Sequence, residues 1–174
     1  MDIKERIKNY PRHPSQRGEF GYQLYKHMAE NKDIWLLTGD LGFGMFDPHR
    51  DDFPDRFVNC GAAEQAMMGI AVGLALEGKI PFVFSITNFV LYRPYEVIRN
   101  YINEERIPVK IVASGRGKDY EDDGFTHMST DAKLVLQAFP NIHQYWPKDN
   151  QEVGRNLREM ILNGDPSFIS LTRK

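Results

Sequence analysis

Strand-like and helix-like segments alternate along the whole of this 174-residue chain. That order predicts an α/β fold: an open, mainly parallel, doubly wound sheet with helices on both faces. The segment 80–86, Ile-Pro-Phe-Val-Phe-Ser-Ile, points the same way, because a strand covered by helices on each side has to be apolar on both faces. The composition supports such a core, with 41% hydrophobic and 26% charged residues, and the length is that of one domain.

The elements follow in order. Residues 1–15, with Pro11 and Pro14 near their end, read as an N-terminal arm, and the domain is 16–174. Phe20, Leu24 and Met28 recur at helical spacing in a helix over 16–30, which leads into a first strand at 34–38. Residues 39–55 are rich in Gly, Asp and Pro and read as a long loop; 56–59 is a second strand, followed by a turn at Cys60 and Gly61. A helix over 63–77 carries Met67, Ile70, Ala71, Leu74 and Ala75 and stops at Gly78. It is apolar on most sides and is expected to be buried. Then come strand 80–86, helix 89–105, strand 109–113, a polar loop over 114–127, helix 131–139, strand 142–146, helix 151–163 and strand 168–172.

Charge and hydropathy narrow the function classes. With 22 Lys+Arg against 24 Asp+Glu, a net charge of −2 and no basic run, nucleic acid is not an expected partner. The longest apolar stretches, 69–76 and 80–84, fall well short of the ~20 residues that cross a bilayer. The start MDIKERIKNY has no continuous apolar core of a secretory leader. A single cysteine, Cys60, makes no internal disulfide and fits a reducing compartment, so a cytoplasmic location is expected.

Ligands in open α/β sheets bind outside the carboxyl ends of the strands, which draws attention to 39–46, 60–65, 87–92 and 114–128. Gly42-Phe43-Gly44 lacks the third glycine of a dinucleotide fingerprint, and no phosphate-loop pattern occurs. Cys60 reads as a packing residue. The five histidines, at 13, 27, 49, 127 and 143, show no pair at metal-ligand spacing, so no protein-built metal site is expected; only His127 lies in a suggestive loop. Glu64 opens the apolar helix, where an acid ordinarily compensates the helix dipole. Its neighbours Gly61, Ala62, Ala63, Ala66 and Gly69 are small, however, and leave room for a ligand or a second chain to approach the carboxylate. Gly69 and Gly73 would let another helix pack closely.

The string CGAAEQAMMGIAVGLALEGKIPFVFSITNFVLYRPYEVIR, preceded by Gly39-Asp40-Leu41 and followed by Asp123-Gly124-Phe125-Thr126-His127, resembles the pyrimidine-binding domain of the transketolase family, including the 1-deoxyxylulose-5-phosphate synthases. The resemblance implies thiamine diphosphate bound between two domains, with its aminopyrimidine ring on this chain. It implies that Glu64 hydrogen-bonds N1′ of that ring and favours its imino tautomer, and that Phe89 stacks on the ring with Ile86 and Tyr92 completing an apolar wall. Asp40 would lie near the cofactor. Asp123 would bind a donor hydroxyl and His127 the oxygen of the covalent adduct, so that Glu64 and His127 are the catalytic pair. Arg17 loosely matches a substrate-phosphate contact.

Departures from the family pattern are equally informative. Phe125 stands where Pro or Gln is usual, and Gly44 and Trp146 stand where the family has a serine and an arginine that grip the sugar phosphate. Without that hydroxyl and bidentate guanidinium a terminal phosphate is bound poorly, so a substrate other than a simple sugar phosphate is expected. No Gly-Asp-Gly motif with a following Asn is present to hold Mg²⁺ and the diphosphate, and the family's C-terminal domain is missing as well. The resemblance therefore implies a split enzyme: this chain as pyrimidine-domain subunit, a partner subunit holding diphosphate and Mg²⁺, and a dimer of heterodimers. Its chemistry would be transfer of a ketol or acyl unit from a small carbohydrate or keto substrate, with modified-sugar synthesis as a candidate role. The alternatives are a beta-type subunit of a 2-oxo acid decarboxylase or dehydrogenase, and a cofactor-free scaffold subunit. The Asp-Gly-x-Thr-His loop favours the transketolase type.

Overall fold

The computed structural model describes residues 2–173; Met1 and Lys174, the outer ends of the expected arm and domain, lie outside the described residues. Six strands, β1 (Ile34–Thr38), β2 (Phe57–Asn59), β3 (Ile80–Ile86), β4 (Lys110–Ser114), β5 (His143–Tyr145) and β6 (Ser167–Leu171), form one sheet in the order β2-β1-β3-β4-β6-β5. Every pairing is parallel, the class that the alternating pattern predicts. Successive side chains of a strand point to opposite faces. Leu36, Phe82, Val112 and Ile169 accordingly enter one core and Leu37, Val83, Ile111 and Phe168 the other, all of them buried.

The helices are α1 (Ile3–Lys8), α2 (Gln16–Glu30), α3 (Asp47–Asp52), α4 (Glu64–Leu76), α5 (Thr87–Tyr92), α6 (Tyr95–Val97), α7 (Ala132–Leu136) and α8 (Asn150–Leu162). Phe20, Leu24 and Met28 of α2 pack with Val153, Leu157 and Met160 of α8 on one face of the sheet. Met67 and Met68 of α4, Val90 and Leu91 of α5 and Leu136 of α7 cover the other. Both long helices of the first layer have side-chain caps, since Ser15 Oγ accepts from Gly18 N–H at 3.2 Å and Asp149 Oδ1 from Glu152 N–H at 2.8 Å. Gln16 joins the two ends of the fold: its Oε1 accepts from Thr172 N–H at 2.9 Å and its Nε2 donates to the Pro147 carbonyl at 3.0 Å.

Four stretches differ from expectation. The arm contains α1, and Tyr10 is buried, its hydroxyl donating to the Met45 carbonyl at 2.7 Å. The loop 39–55 contains α3, started by Pro48 in its first turn. The helix expected over 89–105 begins at Thr87 and breaks after Tyr92, because Pro94 has no N–H to continue the ladder; α6 then runs into a π-helical stretch, Ile98–Glu104. Finally, α4 is buried on one side only. Met67, Met68, Ala71 and Ala75 face the sheet, while Ala66, Gly69, Ile70, Gly73 and Leu76 are exposed. Among the described residues no helix is long and apolar enough to cross a membrane.

Candidate active site

Gly39 directly follows β1 and Ser85 is the penultimate residue of β3. Both lie against the first turn of α4. An added Cβ at Gly39 would stand 3.1 Å from Glu64 Oε1 and 3.3 Å from Ser85 Oγ, so a residue without a side chain lets the helix start against the strand ends. Glu64 is 1% exposed. Burying a carboxylate is costly unless it is paired and hydrogen-bonded, and both conditions are met. Ser85 Oγ donates to Oε1 at 3.0 Å, and Arg93 Nη1 donates to Oε2 at 2.6 Å. The Arg93 side chain is itself 45% exposed, so the ion pair is wet on one side.

Arg93 follows Phe89 by one helical turn, the spacing at which side chains meet, and its guanidinium carbon lies 3.8 Å from the centre of the Phe89 ring. The His127 ring crosses that of Phe89 at 5.0 Å and 72°. The loop carrying His127 turns at Gly124, whose φ of +87° favours glycine. Asn88 Nδ2 pins the loop to α5 by donating to the carbonyls of Thr126 at 2.9 Å and Met128 at 2.7 Å. Beyond His127, at 6.4 Å between ring centres, lies Tyr120. Its hydroxyl accepts from Arg17 Nη1 at 3.2 Å and pairs with Ser114 Oγ at 3.1 Å.

A line of contacts thus runs from Gly39 and Glu64 through Arg93, Phe89 and His127 toward Tyr120 and Arg17. Ile86, 8% exposed, ends β3 next to Ser85. Three other residues singled out from sequence stand apart from that line. Tyr92 donates to Asp131 Oδ1 at 2.7 Å, and burial, then Asp131, raises its hydroxyl above the ordinary range. Asp40, exposed and at φ +59°, is tied to Asn59 by two hydrogen bonds of 3.1 Å. Asp123 is exposed at the end of a single 3-10 turn. Sequence reasoning missed Arg93, Ser85, Asn88 and Tyr120. Two signals were available: Ser85 is the one polar residue of strand 80–86, and Arg93 sits four residues after an aromatic that was singled out.

A cavity of about 570 Å³ opens at the start of α2, lined in part by Arg12, His13, Arg17, Phe43 and Gly44. On the far side of the strand ends Trp146 packs on Phe168 at 5.8 Å between ring centres. Two cations lie beside its ring, Lys133 Nζ at 4.9 Å and the Arg116 guanidinium at 5.7 Å from the ring centre; Arg116 donates to the Pro147 carbonyl at 3.0 Å, to Ser170 Oγ at 3.2 Å and to the Ser170 carbonyl. Those donors are engaged by the protein itself. Among the described residues no cluster of three or more His, Cys, Asp or Glu side chains could hold a metal ion.

Comparison with known proteins identifies the family and agrees with the fold. The model of the transketolase pyrimidine-binding domain matches residues 14–174. A Methanocaldococcus jannaschii protein described as a transketolase C-terminal section is 34% identical over 91% of this chain and 50% of its own length. The 6-deoxy-6-sulfo-D-fructose transketolase subunit SqwH of a Clostridium species is 32% identical over 87% of this chain and 47% of its own. The chain therefore spans about half the length of these curated relatives. Among solved structures, a split-gene transketolase described as an inactive beta4 tetramer superposes with a TM-score of 0.81 at 30% identity, over 92% of this chain and 52% of that one. A match that runs from the cap of α2 through β6 makes this chain a member of the transketolase family, as a pyrimidine-binding domain.

Proposed function

We propose that the chain is the pyrimidine-domain subunit of a split, thiamine-diphosphate-dependent transketolase-like enzyme, transferring a ketol or acyl unit in the making of a modified sugar. One observation carries the reading: a carboxylate that is 1% exposed, fixed at one oxygen by Ser85, is joined at its other oxygen by an exposed arginine whose guanidinium lies over the Phe89 ring. An aromatic ring linked through a guanidinium to a hydrogen-bonding carboxylate, with Gly39 admitting the first turn of α4 against the strand ends, fits an aminopyrimidine. When bound, the cofactor supplies the carbon nucleophile that carries the transferred unit. Glu64 holds the proton shared with the ring nitrogen, a role that depends on a fixed geometry and on exclusion of water. Phe89, Ile86 and Tyr92 flank the ring and Asp40 stands near it. His127 donates to the oxygen of the reacting carbonyl, Asp123 accepts from a substrate hydroxyl, and Arg17 faces the acceptor.

The unit that does this is 16–174, with 1–15 as an arm. Thiamine diphosphate is shared with a separate partner subunit that holds the diphosphate and Mg²⁺, two such pairs assemble, and the enzyme works in the cytoplasm on a small carbohydrate or keto substrate. The bare apolar side of α4 and the half-length match to the relatives support that partnership. Gly44, Trp146 and the engaged Arg116 support a substrate other than an ordinary pentose phosphate, as does the sulfosugar in the name of the Clostridium relative. The test is to purify the chain from its native source, identify the protein that comes with it, and assay the complex with thiamine diphosphate and Mg²⁺. Transfer that requires both subunits is expected. Full activity of the Glu64→Gln complex would overturn the catalytic reading. Turnover of pentose phosphates at ~1–10³ per second would overturn the substrate class.

A further inference from the structure

Both groups assigned to the aminopyrimidine are covered by a single side chain. The Arg93 guanidinium lies 3.8 Å from the centre of the Phe89 ring and donates to Glu64 Oε2 at 2.6 Å. A guanidinium is flat, delocalised and edged with N–H donors. Laid on an aromatic face with one donor aimed at a carboxylate, it reproduces what an aminopyrimidine would offer the same two residues. We infer that Arg93 is an internal occupant of the pyrimidine site, holding Glu64 and Phe89 in place in the cofactor-free chain and withdrawing when the ring binds. The inference rests on the aminopyrimidine reading of the site.

Its physical basis is the contrast in burial within the pair. Glu64 is 1% exposed and its side chain is fixed by Ser85, whereas the Arg93 side chain is 45% exposed. The carboxylate cannot leave without losing its buried hydrogen bond, while the guanidinium has an open path to water. An unpaired buried carboxylate would be strongly unfavourable, so a counter-ion that stays until the ligand arrives protects the empty site. The consequence is a reduced apparent affinity, because only the fraction of molecules with Arg93 withdrawn can accept the ring.

Thiamine, which lacks the diphosphate and so needs no partner subunit, is the probe. With an open fraction of ~0.1, the chain carrying Arg93→Met should bind thiamine about tenfold more tightly than wild type in a nuclear magnetic resonance or calorimetric titration. In the wild-type chain, thiamine should speed the exchange of the Arg93 side-chain N–H protons with water, a readout that survives if the variant fails to fold. Unchanged or weaker binding by Arg93→Met overturns the inference, as does binding that leaves the Arg93 protons unaltered. Glu64→Gln and Phe89→Ala separate the two levels. If both lose thiamine binding while Arg93→Met behaves as wild type, the pyrimidine site stands and the occupant role fails. If both bind as wild type does, the site reading itself fails. No binding by any of these proteins at millimolar thiamine overturns the inference too, since removing an occupant has to uncover a site.

Discussion

Glu64 and His49 are both buried ionisable residues, and they are handled in opposite ways on opposite faces of the sheet. Glu64 is given a hydroxyl and a cation, Ser85 and Arg93, and one side of that arrangement meets solvent. His49, in α3, is 0% exposed and is boxed by Tyr10, Tyr25 and Phe46, with ring centres 5.9, 5.4 and 5.2 Å away. Neither of its ring nitrogens has a hydrogen-bond partner among the described residues. Burial pushes its pKa from 6.5 down to about 3, offset only in part by the nearby Gly21 carbonyl. One group keeps a counter-charge within reach of water; the other has its charge suppressed by an aromatic enclosure. The first arrangement can exchange its partner for a ligand, and the second can only hold the fold together.

The comparison can be broken at three points. The largest effect is expected at Glu64, where Glu64→Gln should lower the rate of the assembled enzyme by roughly 10²–10⁴ while far-ultraviolet circular dichroism stays unchanged. Retained activity would place Glu64 with His49 among the structural residues. His49 should make itself felt through acid. Its folded pKa lies below its unfolded one, so the unfolded chain binds the extra proton; the stability it contributes is whole above pH 6.5 and is lost as pH falls toward about 3. The slope from this one proton approaches ~1.4 kcal/mol per pH unit. Denaturant titrations of wild type and His49→Leu across that window should differ in slope, and parallel curves would show that His49 is not the titrating group. The smallest effect is expected for Ser85→Ala, which removes a hydrogen bond to a charged group worth about 1.5–3 kcal/mol. Urea melts would register that loss, and a gain in stability would mean that the Ser85 hydroxyl does not help to hold the Glu64 carboxylate.

Much of the fold was legible in the sequence, and the unread part has a common cause. Strand 80–86 was readable to the residue because no surface strand is apolar on both faces. Helix 16–30 was readable because Phe20, Leu24 and Met28 share one side of it. The α3 segment, Asp-Pro-His-Arg-Asp-Asp, has no apolar period, and its His49 becomes a core residue only once Tyr10, beyond α1, and Tyr25 of α2 close around it. In α4 the sheet-facing and bare sides are both apolar, so periodicity could not say which of them this chain itself covers. Within the site, Glu64, Phe89 and His127 belong to ordered motifs and were singled out. Arg93 and Ser85 carried only weak local signals, because both matter through Glu64, which lies 29 and 21 residues away in sequence.

The strand order also governs when the molecule can be completed. β5 pairs only with β6, and β6 fills the edge of β4. During synthesis β5 therefore emerges more than twenty residues before its one partner, and Gln16 waits for Thr172 from the start of α2. Contacts that span so much of the chain close slowly. A polypeptide halted before Ser167 would leave one edge of β4 unpaired, the kind of strand that recruits other chains. Two of the six strands thus wait on Ser167–Leu171, and termination before that strand should yield aggregation rather than a slightly shortened subunit.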